Sequence, residues 1–222
     1  MSHPLVFSLR ALRGSLITTV VSSFLLAVSF NALAESDEKL ARATFAGGCF
    51  WCMEPPYDGL DGVIETISGF SGGHVSNPSY EAVVRGGTGH REVVQVIYDP
   101  DIIGYEELLH VYWRNIDPLD DGGQFCDRGS AYRTAIFAHD PEQFRKAQDS
   151  LDELTHSGRF DESIVTPIIR FENFYPAEDY HQGYYEKNPV RYRYYRWRCG
   201  RDARLTELWG DEAGGAVNAT SH

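Results

Sequence analysis

Positive charge is what this sequence has least of: 20 Lys and Arg stand against 32 Asp and Glu among 222 residues, a formal net charge of -12 at pH 7. A surface built to neutralise DNA, RNA or anionic lipid needs the opposite balance, so nucleic acid is excluded as a first reading. Long hydrophobic runs are also missing. The one apolar stretch, 16–30, is broken by Thr18, Thr19, Ser22 and Ser23 and falls short of the ~18 apolar residues of a spanning helix. Cysteine is sparse, four in all, and methionine sparser, with two. Four thiols allow two disulfides, a metal site or thiol chemistry. No repeat, low-complexity tract or linker divides the chain.

What is present begins with the N-terminus. Residues 1–34 hold Arg10 and Arg13 but no acid, then the apolar stretch, then Ala32 and Ala34 before acidic residues start at Glu35. This three-part pattern predicts a secretory signal peptide over 1–34, followed by a short extension over 35–41. The expected location is therefore exported, periplasmic or secreted, with no stable membrane insertion after cleavage. Export permits disulfides and removes the cytosolic supply of reductant.

The rest reads as a single domain over 42–209, with a disordered tail over 210–222. With 42% hydrophobic and 13% aromatic residues the chain can bury one substantial core. Runs rich in β-branched and aromatic residues predict strands at 43–46, 63–70, 92–98, 133–138 and 163–171. Helical periodicity marks 105–116, where Leu108, Leu109, Tyr112 and Ile116 share a face. A second helix follows Asp140-Pro141, an N-cap with proline at the first helical position, and ends at Ser157-Gly158. Alternating elements of this kind predict an α+β fold, a two-layer sandwich with helices packed on a mixed sheet, and an irregular C-terminal tail.

The most informative segment runs from Thr44 through Gly47-Gly48-Cys49-Phe50-Trp51-Cys52 to Pro55-Pro56. A short strand passes through two glycines to a cysteine, and the prolines fit only the first turn of a following helix. Cys49 is thus expected at or just before a helix N-terminus, where free N–H groups favour thiolate. Phe50 and Trp51 beside it would make an apolar wall suited to a methyl or aliphatic group. The competing reading is a Gly-Gly turn with ordinary core aromatics, since free cysteine is often only a small hydrophobe.

Gly48-Cys49-Phe50-Trp51 resembles the active-site motif of the peptide methionine sulfoxide reductase A family. Three further stretches resemble that family in the same order: Gly89-His90-Arg91-Glu92, Cys126-Asp127-Arg128-Gly129 with Tyr132, and Tyr175-Pro176-Ala177-Glu178-Asp179-Tyr180-His181-Gln182. The resemblance implies a ferredoxin-like plait and an enzyme that reduces the S epimer of methionine sulfoxide, in peptides, proteins and free, without cofactor or metal. It makes Cys49 the nucleophile that emerges as a sulfenic acid, which condenses readily with a second thiol. Glu92 becomes the acid that protonates the departing oxygen. It shares a strand face with Val94 and Val96, so it is expected inward, where desolvation keeps a carboxyl protonated.

The same resemblance assigns Phe50 and Trp51 to the substrate methyl group, Tyr80 and Tyr132 to the sulfoxide oxygen, and Asp127 to ordering the site. His181, in the fourth stretch, is read as lining the rim or orienting a partner, with a helix-surface or packing histidine as the competing reading. Cys199 is the expected resolving thiol, because 191–204 carries six arginines and reads as an exposed, mobile, electropositive tail. Cys52 and Cys126 remain alternatives. Cys52 stands where many members of the family carry glycine, Arg85-Gly86 where some place a cysteine, and Ala131 where glutamine is usual. The expected partners are oxidised proteins or peptides and a thioredoxin-like reductant, and the expected molecule is a monomer. Three rivals stand beside this reading: an exported thiol-disulfide oxidoreductase using Cys49 and Cys52, a zinc or double-disulfide scaffold, and a binding module for oxidised proteins.

Overall fold

The computed structural model describes residues 40–215. The expected signal peptide and residues 216–222 of the expected tail lie outside the described residues. Among the described residues eight strands occur in chain order: β1 (Ala41–Ala46), β2 (Val63–Ser71), β3 (Arg91–Tyr98), β4 (Gly123–Gln124), β5 (Asp127–Arg128), β6 (Ala135–Ala138), β7 (Ile168–Arg170) and β8 (Phe174–Pro176). Six form one sheet in the order β7-β6-β1-β3-β2-β8, and β4 pairs with β5 alone. Every pairing is antiparallel except β6 with β7. The helices are α1 (Phe50–Met53), α2 (Pro55–Asp58), α3 (Tyr80–Arg85), α4 (Tyr105–Arg114), α5 (Pro141–His156), α6 (Tyr184–Lys187), α7 (Pro189–Arg198) and α8 (Arg201–Trp209). Mixed α+β architecture is as expected.

Alternation along β1 and β3 explains why the sheet sits where it does. Ala43 and Phe45 face the main core with Val94 and Val96, while Ala46 and Val93 turn to a smaller apolar cluster with Ala135 and Phe137. Phe45 stacks against Tyr57 at 5.6 Å and Tyr112 at 5.1 Å, tying β1 to α2 and α4. Asp140 accepts from the Gln143 N–H at 2.8 Å and Pro141 follows it, the expected start of α5.

Four expectations need correction. The strand over 163–171 shrinks to β7, because Val165 N–H is taken by Pro118 O at 2.8 Å instead of a strand neighbour. The strand at 133–138 likewise begins only at Ala135. The C-terminal part is helical rather than irregular: Gly200, with φ of 67°, breaks α7 from α8, and α8 buries Leu205, Leu208 and Trp209. Order also continues past residue 209. Gly214 N–H donates to Arg114 O at 3.0 Å, Asn115 Nδ2 donates to Gly214 O at 2.9 Å, and Glu212 pairs with Arg114 at 2.7 Å.

Candidate active site

β1 delivers the chain to Gly47-Gly48. Gly48 has φ of 82°, and a Cβ there would come within 2.6 Å of Gln124 Cβ, so this turn needs glycine. Cys49 follows as the N-cap of α1 and Pro55 opens α2, as expected. The first-turn N–H of Phe50, however, does not serve the thiol. It donates to Glu92 Oε2 at 3.1 Å. Cys49 is 7% exposed and Cys52 2%, and both are free thiols.

Burial, the hydrogen bond with Cys52 and the charge of Glu92 push the Cys49 thiol up. The expectation of a thiolate made by the helix end alone is therefore corrected: α1 is four residues long and desolvation outweighs it. The hydrogen bond from Cys49, with the charges of Arg201 and Arg196, pulls Cys52 down to about 6 against its own burial. The pair thus gives up its first proton readily, from Cys52, and holds the second between the two sulfurs on Cys49.

Glu92 lies on β3 opposite Phe70 of β2, inward as its alternation with Val94 and Val96 requires. Burial pushes its carboxyl up to about 8, against the opposing bond from Phe50 N–H. It carries its proton at neutral pH, and it does so beside Cys49.

Aromatic rings close around this pair. Phe50 is buried, 6.1 Å from Phe70, 6.3 Å from Tyr80 and 5.0 Å from His181. Trp51 lies flat on Tyr184 at 3.7 Å, and its Nε1–H donates to His181 Nδ1 at 3.0 Å. His181 is buried, and burial holds its imidazole below the usual value, so it stays neutral. Tyr80 opens α3, whose cap Ser79 accepts from Ala82 N–H at 3.3 Å. Burial pushes the Tyr80 phenol up to about 12, with Glu92 and Cys49 adding, and Tyr132 is raised for the same leading reason. Both phenols remain donors. Asp127 accepts from Tyr195 OH, and burial raises its carboxyl.

The structure therefore gathers Cys49, Phe50, Trp51, Cys52, Tyr80, Glu92, Asp127, Tyr132 and His181. It sets Cys126 and Cys199 apart as a disulfide, with Cα atoms 4.9 Å apart across 73 positions. Cys199, expected as the resolving thiol, is bonded to Cys126 here, and the thiol in contact with Cys49 is Cys52. Cys126 is exposed, and a depression lined by Cys126, Tyr195, Arg198 and Cys199 opens over the bond. Cys126, Cys199 and Asp127 also have donor atoms within 4.8 Å of one another, with both sulfurs spent on the disulfide.

Sequence reasoning missed Tyr184, Tyr195, Arg201 and Glu54. Glu54 is buried, accepts from Ser68 Oγ at 2.8 Å and Gly183 N–H at 3.2 Å, and is pushed up to about 7 by burial. Only Glu54, one position from Met53 inside the motif segment, carried a signal that could have found it.

Comparison with known proteins agrees with this geometry. A family profile described as "Peptide methionine sulfoxide reductase" matches residues 41–213. The chain is similar to "Peptide methionine sulfoxide reductase MsrA" of Bacillus licheniformis, 52% identical over 173 residues, covering 78% of this chain and 96% of that protein. It is also similar to "Peptide methionine sulfoxide reductase MsrA/MsrB" of Vibrio cholerae, 52% identical, covering 76% of this chain and 45% of that protein. Among solved structures, reduced Mxr1 of Saccharomyces cerevisiae is 34% identical with TM-score 0.65, covering 69% of this chain and 88% of that one. Methionine sulfoxide reductase A of Corynebacterium diphtheriae is 31% identical with TM-score 0.62, covering 68% and 76%.

Proposed function

The chain belongs to the peptide methionine sulfoxide reductase family, and from that premise we propose that it reduces the S epimer of methionine sulfoxide, free or in peptides and proteins, as a repair enzyme. The observation that carries the reading is a protonated, buried carboxyl, Glu92, hydrogen-bonded to the N–H beside the Cys49 thiol. A sulfoxide needs a nucleophile at sulfur and a proton at oxygen, and here both come from adjacent groups. The alternative of general thiol-disulfide exchange through Cys49 and Cys52 involves no oxygen that must be protonated before it leaves.

In the proposed cycle the Cys49 proton passes to Cys52 as Cys49 attacks the sulfoxide sulfur. Phe50 and Trp51 hold the methyl group, and Tyr80 and Tyr132 donate to the oxygen, which takes its proton from Glu92. The new sulfur–sulfur bond breaks as the hydroxyl passes from the substrate sulfur to the Cys49 sulfur, so that methionine leaves and Cys49 emerges as a sulfenic acid. The Cys52 thiol then displaces water and a Cys49–Cys52 disulfide forms. Exchange with a reduced Cys126 and Cys199 pair returns the inner thiols and leaves the outer disulfide, the state described above. A thioredoxin-like protein is the proposed reductant of that exposed bond.

The order β6-β1-β3-β2 of the central strands supports reading them as a ferredoxin-like plait. Export is proposed from the charge and apolar pattern of 1–34, and a monomer is retained as the working form. The test of the function is direct. Incubated with a methionine sulfoxide peptide and dithiothreitol, the protein should convert the S epimer and leave the R epimer, while Cys49→Ser should convert neither. Absence of turnover in the wild type, or full turnover in Cys49→Ser, would end the reading.

A further inference from the structure

Arg201 is 2% exposed, one of the largest fully buried side chains described. A buried guanidinium is costly without a counter-anion. Its Nη2 donates to Asn115 O at 2.6 Å and Gly47 O at 3.2 Å and lies 3.0 Å from Met53 Sδ. Its guanidinium carbon stands 4.5 Å from the Phe125 ring centre, and its Nε is buried without a partner. All of these partners are neutral. The neighbouring acids are engaged elsewhere: Asp117 pairs with Arg204 at 2.7 Å, Asp202 with Arg196 at 2.6 Å, and Asp127 accepts from Tyr195.

The carbonyl of Gly47 and the sulfur of Met53 bracket the turn that holds Cys49 and Cys52. Arg201 therefore lies against the segment that carries the thiol pair, with the Gly48 position 3.8 Å from its Nη1 for any added Cβ. We propose that Arg201 is the buried counter-charge of the thiolate formed at the Cys49 and Cys52 pair, a positioning residue supplied to the active site by the C-terminal helix. The inference deepens the reductase reading and rests on it for the use made of that thiolate.

The groups facing the thiols are Glu92 from β3, Asp127 from β5, Tyr80 from α3, Tyr132 from the turn over Ser130–Tyr132, Tyr192, Tyr195 and Arg196 from α7, and Arg201 from α8. Glu92 is neutral at pH 7 and Asp127 is the one nearby acid that opposes a thiolate. Of the two cations, Arg196 already has its carboxylate. Arg201 is left to balance the sulfur, and its distance from solvent means that salt screens it little.

The test is the pH dependence of iodoacetamide alkylation at Cys49 and Cys52, read by peptide mass with the Cys126–Cys199 bond intact. Arg201→Gln should raise the midpoint for the pair by about one pH unit or more, the size expected when an opposite charge is removed. Arg201→Lys, which keeps the charge but loses the planar guanidinium, should recover most of that shift. An unchanged midpoint in Arg201→Gln, or equal shifts in the Gln and Lys variants, would overturn the proposal. If the Gln variant does not fold, Arg201→Met replaces it, and a wild-type midpoint at or above the ordinary thiol value of about 8.5 overturns the idea without any variant. No sulfoxide is present in this assay. A low wild-type midpoint with no methionine formed from substrate would therefore refute the reductase reading and leave the counter-charge standing.

Discussion

Replacing Glu92 by glutamine should abolish turnover and at the same time stabilise the protein. The carboxyl is buried and pushed up to about 8, whereas an unfolded glutamate titrates near 4.3. Between those two values the folded chain holds a proton that the unfolded chain releases, so wild-type stability falls as pH rises through that window. Below about pH 4 both states are protonated and the contribution is fully present; above about pH 8 both are ionised and the loss levels off. At pH 7 the accumulated cost is roughly 4 kcal/mol, taking about 1.4 kcal/mol per pH unit over the interval from 4.3 to 7.

Glutamine removes that cost and keeps a side-chain oxygen to accept from Phe50 N–H, which sits 3.1 Å from the carboxylate oxygen. It has no acidic proton to give, and loss of a general acid costs about 10²- to 10⁴-fold in rate. Thermal unfolding at pH 4 and pH 7.5 is the assay. Glu92→Gln should melt on the order of 8 °C above wild type at the higher pH, using about 2 °C or more per kcal/mol for a domain of this size. The gap should close at the lower pH. A gap that does not change with pH, or a variant that keeps full turnover, would refute the assignment of Glu92 as a buried acid.

Three further predictions test the thiol cycle and the C-terminal helix. Cys52→Ser should release one methionine per molecule and leave a sulfenic acid on Cys49 that dimedone captures, while Cys126→Ser should turn over with dithiothreitol but not with thioredoxin as sole reductant; multiple turnovers by Cys52→Ser would move the resolving role elsewhere. Trp209→Ala should cost about 3 to 5 kcal/mol in urea unfolding, because Trp209 Nε1–H donates to Ile116 O at 3.0 Å and its ring lies 5.3 Å from both Arg114 and Arg159; a loss under about 1 kcal/mol would show that α8 docks by other contacts.

Local rules made part of this molecule legible and left the rest dark. The alternation that sends Val94 and Val96 into the core also sends Glu92 there, so its environment could be read from position alone. Proline and cap chemistry marked the starts of α2 and α5 in the same way. The basic segment over 191–204 was misread because composition averages over residues with opposite fates. Arg198 is exposed, Arg196 and Arg204 are paired with Asp202 and Asp117, and Arg201 is buried. Only the packing of α8 under the Gly47-Gly48 turn decides which is which. Tyr184 and Tyr195 escaped for the same reason, since each meets Trp51 across more than a hundred positions of sequence. The strands β4 and β5 are two residues each, too short for any period to show.

The two cysteine pairs answer requirements that one pair could not meet together. A thiolate that attacks sulfur, held beside a carboxyl that must stay protonated, needs a dry site, and the inner thiols are 7% and 2% exposed. A protein reductant needs a bond it can touch, and among the described residues only the Cys126–Cys199 bond offers an exposed cysteine. That outer bond is also joined to the pocket wall. Cys126 precedes Asp127, Cys199 follows Tyr195 by one helical turn, and Tyr195 OH donates to Asp127 while its ring stands edge-on to Trp51 at 5.8 Å. In the proposed cycle electrons therefore enter at a surface bond that shares its backbone with the substrate wall, and the chemistry stays one layer deeper.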